Sequence, residues 1–144
     1  MAAVLIDAGA LIALLDRSDA AHDRCLEALA AIHDPLISVW PAFTEAMHLL
    51  SGVRRGQTAL VEMVEDDALG LVDLSKSDLP RMRELMEKYA DLPMDFADAA
   101  LVRVAERDGC TRILTFDAHF EVYRLPRRGW FTLLPSPTRR RSSR

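Results

Sequence analysis

The chain contains few cysteines and no long apolar run, and each of these absences argues against particular classes of protein. Its 144 residues include 2 cysteines, Cys25 and Cys110, which lie too far apart for a CxxC redox or zinc motif. We therefore expect two buried free thiols and a reducing compartment. Asp7 interrupts the first apolar run, which argues against a signal peptide, and no apolar stretch reaches membrane-spanning length. These features predict a cytoplasmic protein without a membrane partner.

Several catalytic motifs are also missing. The serines have no nucleophile-elbow context, which argues against serine hydrolysis. No glycine-rich phosphate loop is present. The 4 histidines have neither helical nor hairpin spacing for a metal-binding pair, so we interpret them as surface or interface residues: His22, His33, His48 and His119.

Lysine is scarce, because Lys76 and Lys88 are the only lysines among 18 basic residues. The remaining basic residues are arginines, whose planar guanidinium suits phosphate. A bias toward arginine codons would produce the same composition. The net charge of −4 argues weakly against nucleic acid binding. If several acids crowd one pocket, however, the remaining surface is close to neutral.

The length and apolar pattern predict one domain with an α/β fold. Half of the residues are hydrophobic, which is enough for a sizeable core. The alternation of elements predicts a parallel sheet of about five strands between helices, a three-layer α/β/α architecture. The predicted strands are 4–6, 36–39, 70–74, 113–116 and 130–134. The predicted helices are 8–16, 19–32, 41–50, 57–67, 79–89, 95–108 and 118–123.

The C-terminal segment 135–144 differs from the rest of the chain. It is polar, rich in proline and serine, and carries four arginines in its last six residues. We interpret 1–134 as the folded domain and 135–144 as a flexible basic tail. Such a tail would attract phosphate without sequence preference, or would serve only as a solubilising end.

Acidic residues lie where a parallel sheet would bring them together. Asp7 and Asp117 each follow an apolar strand, while Glu45 and Asp98 lie on helices that can reach the same edge. In open α/β sheets, binding sites form at the carboxyl ends of the strands. Clustered carboxylates repel one another unless a cation neutralises them, and oxygen ligands suit Mg²⁺ or Mn²⁺. The pattern therefore predicts a metal site that does phosphoryl chemistry.

Each acid also has a plainer interpretation. Asp7 and Asp117 could be helix N-caps, because a helix follows each of them, and Asp95 could cap the helix that contains Asp98. Asp98 stands beside the apolar face of its helix, where an unpaired carboxylate is costly. Glu45 points away from the apolar face of its own helix, so a solvated side chain is its default interpretation.

Four segments together resemble the PIN-domain ribonucleases. These are 4–16, Thr44-Glu45, 95–101 and 114–120, and the resemblance spans 3–134. Small stand-alone members of this family resemble the VapC-type toxins of bacterial toxin–antitoxin pairs. The resemblance implies a PIN-like fold and a metal-dependent endoribonuclease.

The resemblance also assigns roles to residues. It implies that Asp7, Glu45, Asp98 and Asp117 form the acidic catalytic and metal site, with Asp95 as an additional metal ligand. It implies that the hydroxyl of Thr115 supports this site. Ala8-Gly9 departs from the family, in which a serine, threonine or asparagine often follows the first aspartate.

The implied activity is hydrolysis of RNA by a water that Mg²⁺ or Mn²⁺ activates, leaving a 5′-phosphate and a 3′-hydroxyl. The implied partners are an RNA substrate, a cognate antitoxin protein and a second copy of the chain. Apolar stretches at 26–32 and 60–64 add surface for such partners. Arg54, Arg55 and Arg112 are candidates to hold flanking phosphates.

Other folds with acids at strand ends fit less well. A phospho-acceptor receiver domain needs a lysine late in the sheet, and neither lysine lies late enough. An aspartate-nucleophile phosphatase needs Asp-x-Asp after the first strand, where the chain has Asp7-Ala8-Gly9. A catalytically weak PIN-like module that acts mainly by binding protein or RNA stays open, and a metal titration would distinguish it.

Overall fold

Five parallel strands form one sheet. The computed structural model describes residues 2–126 and 129–137. The sheet strands are β1 (Val4–Ile6), β2 (Leu36–Val39), β3 (Gly70–Val72), β4 (Arg112–Leu114) and β7 (Thr132–Leu134). The helices are α1 (Ala8–Leu15), α2 (His22–Ala30), α3 (Trp40–Leu49), α4 (Gly56–Glu65), α5 (Leu79–Lys88) and α6 (Phe96–Asp108). The predicted three-layer α/β/α fold is confirmed.

The strand order creates a crevice beside the central strand. From β1 the chain adds β2 and then β3 on one side, and afterwards β4 and β7 on the other side. The connections leaving β1 and β4 therefore diverge at their carboxyl ends, which is where open α/β sheets bind ligands. All three residues of β1 are buried, as expected for a strand covered on both faces.

Local hydrogen bonds explain two differences from the predicted elements. Helix α2 begins at His22 rather than near residue 19, because Asp19 accepts from the backbone N–H of Ala21 at 2.9 Å and forms a turn instead. The last predicted strand is split. Its first part, β6 (Gly129–Trp130), pairs antiparallel with β5 (Arg124–Leu125) in a hairpin outside the main sheet.

The two cysteines are free and buried, as predicted. The Cys25 thiol donates to the carbonyl oxygen of Ala10 at 3.4 Å, and the Cys110 thiol to that of Ala3 at 3.1 Å. Both therefore pack as small core residues behind β1 and α1. No helix within the described ranges is long and apolar enough to cross a membrane. Most of the predicted basic tail, residues 138–144, lies outside the described residues.

A buried carboxylate ties α5 to α6. Asp78 is only 2% exposed and accepts from the Nε of Arg103 at 2.8 Å, from Nη1 of Arg107 at 3.0 Å and from the N–H of Ser75 at 2.9 Å. The Asp78 carboxylate thus accepts three hydrogen bonds, two from guanidinium groups and one from the backbone. Its role is structural, because none of its partners lines the crevice beside β1.

We expect Asp78→Ala to destabilise the protein by about 2 kcal/mol, because both guanidinium groups and the N–H lose a buried acceptor. For a chain of this size that corresponds to a fall in melting temperature of roughly 4–8 °C. Thermal unfolding followed by circular dichroism measures it, with the exposed Asp66→Ala as control. Equal melting of the two variants would contradict a structural role for this network.

Candidate active site

Six acids line one cavity of about 360 Å³ at the carboxyl ends of β1 and β4. No lysine, arginine or histidine lines this cavity within the part of the chain that the structure describes. The acids are Asp7, Asp19, Glu45, Asp95, Asp98 and Asp117. We call this the acidic cavity. Five of the six are the acids singled out from the sequence, and the fold brings them together from four separate segments.

Asp7 is both a helix cap and a wall of the acidic cavity. It follows β1 directly and is 6% exposed. One carboxylate oxygen accepts from the N–H of Ala10 at 2.9 Å and so caps α1, while the other accepts from the Thr115 hydroxyl. The Thr115 oxygen in turn accepts from the N–H of Asp117 at 3.0 Å. Thr115 therefore connects the two acids that follow β1 and β4.

Asp117 and Asp95 also serve as caps. Asp117 accepts from the N–H of His119 at 2.9 Å and begins a 3-10 turn over Ala118–Glu121. Asp95 accepts from the N–H of Asp98 at 2.8 Å and begins α6. A cap uses one oxygen of a carboxylate, so the second oxygen of Asp117 and of Asp95 stays available to the cavity, and the second oxygen of Asp7 keeps one lone pair beside its bond from Thr115. Being a cap and lining the site are compatible at all three positions.

Asp98 sits against a buried aromatic cluster. Its carboxylate accepts from the Tyr123 hydroxyl at 3.2 Å. Tyr123 is fully buried and packs edge-on against Tyr89 and Phe120, with ring centroids 5.0 and 5.1 Å apart. These rings keep water away from one side of the carboxylate while the hydroxyl fixes its orientation. Tyr123 has no signal in the sequence, because nothing local connects it to a residue 25 positions earlier.

Glu45 lines the cavity from an exposed position and Asp19 from a half-buried one. Glu45 points away from the apolar face of α3, as its helical position predicts, and that side of the helix contributes to the cavity together with residues of α6. Partial burial, followed by the charge of Asp95, raises the pKa of Glu45. No motif in the sequence indicates that Asp19 belongs to the cavity.

Crowding raises the pKa values of the two most enclosed acids. Burial, together with the charges of Asp117 and Glu45, raises the pKa of Asp7 to about 6 despite opposing hydrogen bonds from Thr115 and Ala10. Burial and then the charges of Asp95 and Asp117 raise the pKa of Asp98 to about 7. Such shifts are typical of carboxylates that lack a neutralising cation.

The donors in the acidic cavity fit a hard cation by type. They are carboxylate oxygens, with no thiol or imidazole among the lining residues that the structure describes. Their present spacing is wider than a coordination shell, since no three acidic, histidine or cysteine side chains in the described ranges are grouped tightly enough to hold one ion. Mutual repulsion opposes a closer spacing, because acids are the only ionisable side chains among the described residues that line the cavity.

The predicted phosphate-binding arginines lie elsewhere. Arg112 starts β4, at the opposite edge of the sheet, and pairs with Asp34. Arg55 pairs with Glu62 at 3.8 Å, and Arg54 does not line the cavity. None of the three predicted arginines lines the acidic cavity, and their binding of phosphate stays a prediction.

Arg24 is an arginine that lies close to the acidic cavity. Its guanidinium stands 5.3 Å from the centroid of the Phe116 ring, and Phe116 lines the acidic cavity. Arg24 also shares a second, smaller cleft with Asp117. It is exposed and lies on α2, and no motif in the sequence marks it.

The raised pKa values predict a pH-dependent stability in the absence of metal. Because the folded protein holds protons on Asp7 and Asp98 that the unfolded chain releases above its ordinary value of 3.8, stability falls as pH rises from about 4 to about 7. We expect a loss on the order of 2 kcal/mol per group, after allowing for partial exposure. In EDTA, Asp98→Asn should melt above wild type at pH 8, with a smaller difference at pH 5. An equal difference at both pH values would contradict the shift.

The sequence is similar to those of known proteins. The sequence matches the PIN domain family over residues 4–125. Ribonuclease VapC26 of Mycobacterium tuberculosis (strain ATCC 25618 / H37Rv) is 29% identical over 136 residues, covering 92% of this chain and 100% of the relative. The chain belongs to the PIN domain family, and the resemblance predicted from its sequence is confirmed.

Solved structures share the fold at low sequence identity. Mycobacterium tuberculosis VapC20, described as a toxin that cleaves the sarcin-ricin loop, superposes with a TM-score of 0.77 at 16% identity, covering 83% of this chain and 93% of that one. A toxin–antitoxin complex from Klebsiella pneumoniae gives 0.62 at 16% identity, with coverage of 80% and 87%. PAE2754 from Pyrobaculum aerophilum gives 0.52 at 20% identity, with coverage of 85% and 85%.

Proposed function

We propose that the protein is a Mg²⁺-dependent or Mn²⁺-dependent endoribonuclease and the toxin of a toxin–antitoxin pair. The observation that carries the proposal is the acidic cavity, which gathers carboxylates at the crevice of the sheet without any basic residue among its described lining. Membership of the PIN domain family and a relative named as a ribonuclease support the same activity.

Asp7, Asp98, Asp117, Glu45 and Asp95 would hold the metal. When bound, Mg²⁺ would supply an activated water and stabilise negative charge on the scissile phosphate. Thr115 would keep the Asp7 carboxylate turned toward the cavity, and Tyr123 would do the same for Asp98. Because the pKa of Asp7 is raised to about 6 and that of Asp98 to about 7, protons would compete with a cation for these two acids as the pH falls below neutral.

Arg24 would hold a phosphate next to the scissile one. Its guanidinium lies over the ring of Phe116, a residue that lines the acidic cavity. An arginine at that position offsets the repulsion between RNA and the acids without entering the metal site. Arg24 thus joins Arg54, Arg55 and Arg112 as a candidate for this role.

An antitoxin and a second copy of the chain are the proposed protein partners. A cleft between the end of α2 and α4 is lined by Leu29, Ile32 and Met63, which would receive an apolar segment of an antitoxin. Leu26 on α2 is 44% exposed, in line with the expected apolar surface at 26–32. Leu60 is fully buried, so the second stretch contributes mainly to the core.

A catalytically weak module is the second candidate, and the wide spacing of the acids favours it. In that case the fold would act by binding protein or RNA. Metal-dependent cleavage of RNA distinguishes the two functions, because only the nuclease requires an ion bound by the acids for its activity.

The test is cleavage of an end-labelled RNA containing loops by the purified protein, with Mg²⁺ or Mn²⁺ and with EDTA. We expect metal-dependent products that end in a 5′-phosphate and a 3′-hydroxyl. Isothermal titration with Mn²⁺ serves as a parallel measurement. Metal binding without cleavage would favour the weak module, and cleavage that persists in EDTA would overturn the metal mechanism.

A further inference from the structure

A second groove opens beside the acidic cavity and carries two exposed aromatic rings. Trp40 and Phe96 line it and are 51% and 47% exposed. The groove has a volume of about 610 Å³ and shares Glu45 and Asp95 with the acidic cavity. We call it the aromatic groove. Two large apolar rings exposed in one groove beside a site are costly in water and point to a ligand.

The ring of Trp40 is held in place before any ligand arrives. It packs edge-on against Phe43, with ring centroids 5.5 Å apart and planes 73° apart. The Thr44 hydroxyl donates to the carbonyl oxygen of Trp40 at 2.9 Å, which fixes the first turn of α3. A preformed ring loses little conformational entropy when a flat ligand stacks on it.

The charges around the aromatic groove select against a phosphate. Glu45 and Asp95 are acidic, and neither lysine nor arginine lines the groove among the described residues. His48 is its one basic side chain within those residues and is exposed. A phosphate would meet two carboxylates there, whereas an uncharged flat ring with polar edges would meet aromatic faces, a hydroxyl and an imidazole.

We propose that the aromatic groove binds an unpaired nucleobase of the RNA, next to the phosphate that occupies the acidic cavity. The proposal rests on the proposed ribonuclease function. Stacking on aromatic side chains is how proteins hold single-stranded bases, and a base inside a duplex cannot reach such a surface. The groove therefore selects for loops and single strands, while Arg24 lies on the side of Phe116 and Asp117.

Steady-state cleavage of an unpaired oligoribonucleotide tests the groove through KM. We expect Trp40→Ala to raise KM about 5- to 100-fold, because one stacked base is lost, and Trp40→Phe to retain most of the affinity. Leu49→Ala is the matched control, since Leu49 lies on the same helix, is 53% exposed and does not line the groove. Unchanged KM in Trp40→Ala would overturn the proposal.

Fluorescence tests base binding independently of cleavage. The chain has 2 tryptophans, so Trp130→Phe leaves Trp40 as the sole reporter. We expect quenching by single-stranded oligoadenylate, and little quenching by an abasic ribose-phosphate chain of equal length or by duplex RNA. Equal quenching by the abasic chain would show phosphate binding and overturn the proposal.

The two readouts also separate this inference from the proposed function. Quenching by oligoadenylate in a protein that cleaves nothing would support the base site and contradict the nuclease. Cleavage without quenching, and without a change in KM for Trp40→Ala, would support the nuclease and contradict the base site. If Trp40 fluorescence changes with protein concentration and not with RNA, the groove is covered by a second copy of the chain, which overturns the base site.

Discussion

Asp98→Asn is expected to reduce metal-dependent RNA cleavage by at least about 100-fold, with Asp7→Asn having a similar effect. The substitution removes a negative charge from the cavity, so a cation binds more weakly and less charge is stabilised in the transition state. A loss of roughly 3 kcal/mol or more corresponds to this reduction in rate. The measurement is the single-turnover rate on an end-labelled RNA at saturating Mn²⁺.

Both variants should remain folded. In Asp98→Asn the amide oxygen would still accept from Tyr123, and in Asp7→Asn the amide oxygen would still cap α1. Each change also relieves repulsion among the acids, so melting in EDTA should not fall. Asp66→Asn, which changes an exposed acid that does not line the cavity, is the control and should cleave like wild type. Full activity in Asp98→Asn would remove Asp98 from the proposed site.

The sequence is informative about the sheet because each main strand is a short apolar run. Runs such as 4–6 and 36–39 are buried on both faces and stand between helical patterns, so their parallel pairing follows from the order of elements. The hairpin of β5 and β6 cannot be predicted in this way. Its strands have two residues each, too few to produce a period-2 pattern.

The positions of acids that directly follow strands are easier to predict from the sequence than the positions of acids on helices. Asp7 and Asp117 come directly after β1 and β4, so the topology alone brings them to one edge. Glu45 has no such constraint, because its place in the cavity depends on how α3 packs against α6. A helical wheel shows only which side is apolar, and it cannot show which neighbour the polar side faces.

Other residues of the site are hard to predict from the sequence because they depend on contacts between distant segments. Tyr123 reaches Asp98 across 25 positions, and Thr115 reaches Asp7 across 108. The Thr115 contact is implied by family resemblance, whereas Tyr123 follows only from three-dimensional packing. Arg24 is similar, since its approach to Phe116 depends on where α2 crosses the crevice.

The second large effect concerns metal and stability. Saturating Mn²⁺ should raise the melting temperature of wild type, because an ion that binds only the folded protein stabilises it by mass action and ends the repulsion among the acids. At about 100 times the dissociation constant the gain is about 2.7 kcal/mol. For a chain of this size that is roughly 5–10 °C. Differential scanning fluorimetry against Mn²⁺ concentration measures it.

Asp117→Asn decides whether the ion is in the acidic cavity. The backbone N–H of Asp117 donates to Thr115, whose hydroxyl donates to Asp7. The substitution removes the charge of one metal ligand and leaves these two hydrogen bonds in place. Its shift in Mn²⁺ should therefore be clearly smaller than that of wild type, while Asp66→Asn keeps the full shift. Because Asp66 lies outside the cavity, equal shifts in all three proteins would mean that Mn²⁺ binds elsewhere. A reduced shift in both variants would instead report the lost surface charge, and would separate general electrostatics from a metal site.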